Sequence, residues 1–94
     1  MPPLTTYKYA HITSQTTTLL KDGNTFLHSI TFNKPTATGT VTIDDALTAT
    51  TPTVGIITTP ASPQPFTLTY DINLPIGLTI ITETADQDIT VAYL

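Results

Sequence analysis

Residues 66–74, FTLTYDINL, alternate without a break. Phe66, Leu68, Tyr70, Ile72 and Leu74 fall on one side of an extended chain, and Thr67, Thr69, Asp71 and Asn73 on the other. Period two is the signature of a strand with one buried face. Similar apolar, β-branched runs occupy 7–12, 16–20, 25–32, 40–44, 54–58, 78–82 and 89–93. No window of ten or more residues carries apolar side chains at spacings of three and four, so no helix is predicted. Turn residues separate the runs. Asp22-Gly23 between 16–20 and 25–32 reads as a hairpin signal, Pro60, Pro63 and Pro65 interrupt the chain before Phe66, and Pro75-Ile76-Gly77 forms a turn. The pattern predicts an all-β fold: a single small antiparallel β-sandwich or jelly roll of about 7–8 short strands. Residues 1–9 are expected to form an N-terminal arm or edge strand, and residues 10–94 the sandwich domain.

The alternation fails at a few places. Ile80-Ile81, Ile56-Ile57 and Phe26-Leu27 each put large apolar side chains on both faces of a strand. A strand with one wet face has no need of the second one. Scattered surface isoleucines are normal, but this chain is only 11% charged. The pairs are therefore read as contacts with another chain. Tyr7 and Tyr9, on one face of the first extended segment, are either a contact patch or part of the domain's own edge strand. The candidate interface residues are Tyr7, Tyr9, Leu27, Ile56, Ile57, Ile80 and Ile81.

Composition narrows the function. A 94-residue chain buries a modest core, and without cysteine it has neither disulfides nor thiolate metal sites to reinforce it. Association with copies of itself or with a partner is the leading remaining route to more buried area. Three lysines, no arginine and seven acidic residues give a net charge of −4, which cannot build the basic stripe that nucleic acid or an anionic membrane surface requires. The N-terminus lacks the basic start and apolar run of a signal peptide, and a soluble chain made in the cytosol is expected. Threonine makes up about a quarter of the residues and interleaves with Ile, Val, Leu and Phe, as on the outward face of strands rather than in a disordered stalk.

Candidate chemistry is thin. His28 falls by alternation on the face of Phe26, Ile30 and Phe32, where a core-rim histidine held by one hydrogen bond is expected rather than a metal ligand or pH switch. His11 joins it only if distant segments converge. Ser14, Ser29 and Ser62 lack the sequence context of a catalytic nucleophile. Asp44-Asp45 and the group Glu83, Asp86 and Asp88 are the acidic clusters, and the second is read as a solvated turn rather than a calcium loop. No catalytic residue, metal or cofactor is expected, and the chain is read as a non-enzyme.

Residues 27–94 resemble a group of small virion proteins of tailed bacteriophages. The resemblance rests on Leu27-His28-Ser29-Ile30, on Gly39 to Ile43 (GTVTI), on Gly77 to Ile80 (GLTI) and on Asp88 to Tyr93 (DITVAY). It implies a β-sandwich or jelly-roll subunit of the particle, a capsid cement or decoration protein bound to the major capsid protein at the capsid surface, with a trimer favoured. Residues 1–9 would reach onto a neighbouring subunit or the shell. The alternative is a tail, fibre or baseplate domain that binds a host receptor or carbohydrate.

Overall fold

The computed structural model describes residues 6–94. They form eight strands: β1 (Lys8–Ile12), β2 (Thr16–Asp22), β3 (Thr25–Lys34), β4 (Thr40–Asp44), β5 (Thr53–Thr58), β6 (Phe66–Leu74), β7 (Gly77–Glu83) and β8 (Asp88–Tyr93). One sheet has the order β1-β8-β3-β6 and the other β2-β7-β4-β5, and every pairing is antiparallel. The pairs β4–β5, β3–β6, β2–β7 and β1–β8 are nested in sequence and alternate between the sheets. The chain is a doubled ribbon, turned back between β4 and β5 and rolled so that successive pairs face each other. This is an eight-stranded jelly roll. Its shortest extent, 17 Å, accommodates two stacked sheets.

The predicted runs coincide with the observed strands to within a few residues. The connections were less legible. Residues 21–24 do not join a hairpin: β2 pairs with β7, and β3 pairs with β6 and β8. Gly23, at φ 95°, supplies the tight bend that the sequence announces, but the bend carries the chain from one sheet to the other. Its N–H donates to the Ile76 carbonyl at 2.9 Å, tying it to the β6–β7 turn at the same end. Among the connections, β4–β5 is the one that joins neighbours in a sheet.

The core lies between the sheets. Leu27, Ile30, Phe32, Ile89 and Val91 come from one side, and Val41, Ile43, Leu78 and Ile80 from the other. Phe32 and Phe66 stack at 4.4 Å between ring centroids. Tyr70 reaches from β6 to Gly55 on the facing edge strand β5, and burial pushes its hydroxyl pKa up.

The polar groups of one end are gathered by Gln87, which is buried. Its Oε1 accepts the Thr36 N–H at 2.8 Å and its Nε2 donates to the Thr36 carbonyl at 2.9 Å. The buried Thr59 hydroxyl donates to the Thr36 carbonyl at 2.6 Å and accepts the Gly39 N–H at 2.8 Å. Three connections are thereby joined without a buried polar side-chain atom left unpaired among the described residues.

Lys8 and Tyr9 belong to β1, which pairs with β8 along its whole length. The rest of the proposed arm lies outside the described residues, apart from Thr6 and Tyr7.

Candidate interaction surfaces

Strand β7 is where the alternation rule failed most plainly, and the structure supplies an internal cause. Ile80 faces the core and is fully buried. Ile81 points the other way yet is only 6% exposed. The loop of residues 45–52 lies over it. Asp45 anchors that loop: its Oδ1 accepts the N–H groups of Ile76 at 2.9 Å and Gly77 at 3.2 Å, and its own N–H donates to the Pro52 carbonyl at 2.9 Å. The Thr79 hydroxyl, also on the outer face of β7, donates to the Ala46 carbonyl at 2.7 Å. Ile81 therefore meets the protein's own β4–β5 loop.

The other candidate interface residues separate in the same way. Leu27 is fully buried in the core, and Ile57 packs against it from β5. Leu27 and Ile80 are fully buried within the single chain, and Ile81, at 6% exposure, keeps only the surface it turns to the cleft beside the loop. Ile56 points outward from β5 and is 65% exposed. It shares the outer face of the β2-β7-β4-β5 sheet with Leu19 of β2, and Leu47 is exposed on the loop above. Leu19 and Leu47 were not singled out from the sequence. Leu19 sits next to Leu20, and the alternation that turns Thr17 outward turns Leu19 outward as well, just before the bulge between Leu19 and Lys21.

The outer face of the other sheet is polar. Thr90, Thr31 and Thr67 form a row across β8, β3 and β6, with His11 of β1 at its end. Tyr9, 74% exposed, stands beside this row. Tyr7 is not free: its ring stacks on His28 at 4.3 Å with 9° between the planes.

His28 is not on the core face. A bulge between Leu27 and Ser29, opposite Asp71 at φ 50°, breaks the period, so Leu27 and Ile30 point inward and His28 lies with Asp71. Its Nδ1 is 2.5 Å from Asp71 Oδ1, and both side chains are partly exposed. His11 Nε2 pairs with Asp88 Oδ1 at 2.6 Å, joining β1 to β8. The two histidines do not converge, and neither has a serine as hydrogen-bond partner. Ser29 is a largely buried outer-face residue between Ala92 and Thr69, while Ser14 and Ser62 are exposed on connections.

The acidic residues also part company. Asp86 accepts the Gln15 N–H at 2.9 Å, and Asp88 accepts from Asn33 Nδ2 at 3.1 Å as well as pairing with His11. These hydrogen bonds, from His11 first and Asn33 second, hold the Asp88 carboxyl below its usual range. Glu83 points to the outer face of the opposite sheet, into a cleft shared with Asp44, Thr42 and Ile81. No three His, Cys, Asp or Glu side chains gather as a metal site among the described residues. No family model, curated protein or solved structure matches this chain.

Proposed function

We propose that the protein is a non-enzymatic structural component of a phage virion, a cement or decoration subunit that binds the outer shell as an oligomer, a trimer being favoured. The observation that carries this reading is the outer face of the β2-β7-β4-β5 sheet. Leu19, Leu47 and Ile56 are exposed on it, in a domain with few charges to keep such a face wet. The resemblance of residues 27–94 to small virion proteins points the same way, and jelly rolls occur in viral capsid domains. The mechanism is mechanical: a subunit bridging shell proteins adds interface that must be lost before the shell opens. An acidic chain complements basic patches on the major capsid protein.

The test is to add the purified protein to shells that lack it. Binding at a fixed copy number and a higher shell-opening temperature are expected, together with a trimer mass by light scattering. Shells that neither bind it nor gain stability overturn the reading.

The second reading, a receptor- or carbohydrate-binding domain, draws on Tyr9. An exposed ring beside a flat row of threonine hydroxyls suits stacking against a sugar. Glycan-array binding that disappears with Tyr9→Ala would favour it over the cement role.

A further inference from the structure

A cleft of about 310 Å³ opens on the outer face of the β2-β7-β4-β5 sheet, between the strands and the loop of residues 45–52. Ile81 lines it together with Thr42, Thr50 and Thr53. Asp44 and Glu83 also line it, and the register separates them. Asp44 is opposite Thr79 and Glu83 opposite Thr40, four positions apart along the β4–β7 ladder, or roughly 13 Å between backbones at a strand's rise per residue. The carboxylates therefore stand towards opposite ends of the cleft, with Thr42 and Ile81 paired between them.

Asp44 is the unusual member. It is 3% exposed, yet among the described residues its carboxylate receives a single hydrogen bond, from Thr53 Oγ1 to Oδ1 at 2.9 Å. The ion pairs among the described residues are His11–Asp88 and His28–Asp71, so Asp44 has no cation of its own. A carboxylate withdrawn from water is costly unless charge and hydrogen bonds replace the lost hydration. The cleft is where the replacement can enter. A bare divalent ion suits it poorly, because hard cations gather six or more oxygens at close range and here isoleucine lies between two separated carboxylates. An alkyl stem ending in a cationic head fits both parts: the stem lies on Ile81 and the head meets a carboxylate and threonine hydroxyls.

We infer that this cleft is a socket for a lysine or arginine side chain presented by a partner protein. Charge complementarity selects the occupant, since the chain is acidic overall, has no arginine and leaves Asp44 without a basic residue. The inference rests on the reading of this face as a contact surface, and it names the partner residue that the face would engage.

The test is a titration of the full chain with N-acetyl-arginine amide and N-acetyl-lysine amide, followed by amide and methyl NMR. Saturable shifts at Thr42, Thr53 and Ile81 are expected with at least one of them, and none with the neutral N-acetyl-norleucine amide. Glu83→Gln, at an exposed position, should weaken binding several-fold while leaving the spectrum otherwise folded. Asp44→Asn should abolish binding if it folds. Equal shifts with the norleucine compound, no shifts at all, or a response to calcium or spermidine alone would overturn the socket. Shell binding is measured separately, so a failed titration beside successful shell binding removes the socket and leaves the cement role standing.

Discussion

Thr79 donates its hydroxyl to the Ala46 carbonyl at 2.7 Å on the face of β7 turned away from the core. With the Asp45 carboxylate on the β6–β7 turn, it fixes the loop that shields Ile81. Thr79→Val removes that donor at nearly constant volume, and Asp45→Ala releases two N–H groups. Each should cost about 1–3 kcal/mol in urea unfolding and should raise solvent exposure of the Ile81 methyls by NMR. Unchanged stability and an unchanged Ile81 environment would mean that the loop is held by something else.

The two-faced isoleucines should divide sharply on substitution. Ile80→Ala empties a core position and is expected to cost about 2–5 kcal/mol. Ile56→Ala, on the open face, should stay within about 0.5 kcal/mol. If Ile56 serves a contact, Ile56→Asp will leave the monomer folded by circular dichroism while abolishing shell binding.

Gly39 and Gln87 should behave as a coupled pair. A Cβ at Gly39 would stand 2.3 Å from Gln87 Nε2, closer than atoms can approach. Gly39→Ala must therefore displace the amide that holds Thr36. Its cost should shrink when Gln87 has already been changed to Ala. A double-mutant cycle by chemical denaturation should show a coupling of about 0.5–3 kcal/mol, and additive losses would refute the contact.

The Asp88 carboxyl is held down by its hydrogen bonds to His11 and Asn33. A depressed folded-state pKa means the native state resists protonation. The stabilisation is fully present above the unfolded-state value, about 3.9, and is lost as the pH falls through the lower folded value. His11→Ala should move the Asp88 titration upward in a carboxyl-detected NMR experiment. An unmoved titration would show that the His11 contact does not set it.

Much of the strand content was legible because alternation is a local property. Residues 66–74 wrote their buried face directly into the chain, and β4 and β6 match their expected limits. What escaped was set by partners distant in sequence. Asp22-Gly23 signals a bend, but whether the chain then pairs with itself or crosses to another sheet depends on β7 and β6. His28 was assigned to the wrong face because one bulge opposite Asp71 resets the period. Nothing local to Ile81 says that residues 45–52 fold back beside it. The cleft shares that cause: Asp44 and Glu83 come to line one cleft only through the β4–β7 register. Gln87, polar and next to two aspartates, gave no sign that it would be buried.

The nested ribbon also implies an order of assembly. Strands β4 and β5 can meet across a short connection, whereas His11 and Asp88, which join β1 to β8, are 77 positions apart. The entropy lost on closing a loop grows with its length, so pairing is expected to start at the fold-back and zip outward, each completed pair shortening the gap to the next. Strand β1 then docks last. Being an edge strand with one neighbour, it is also the first that thermal fluctuation should peel away. The exposed ring of Tyr9 therefore rides on the least cooperative part of the molecule, while Ile56 sits beside the fold-back from which the ribbon grows.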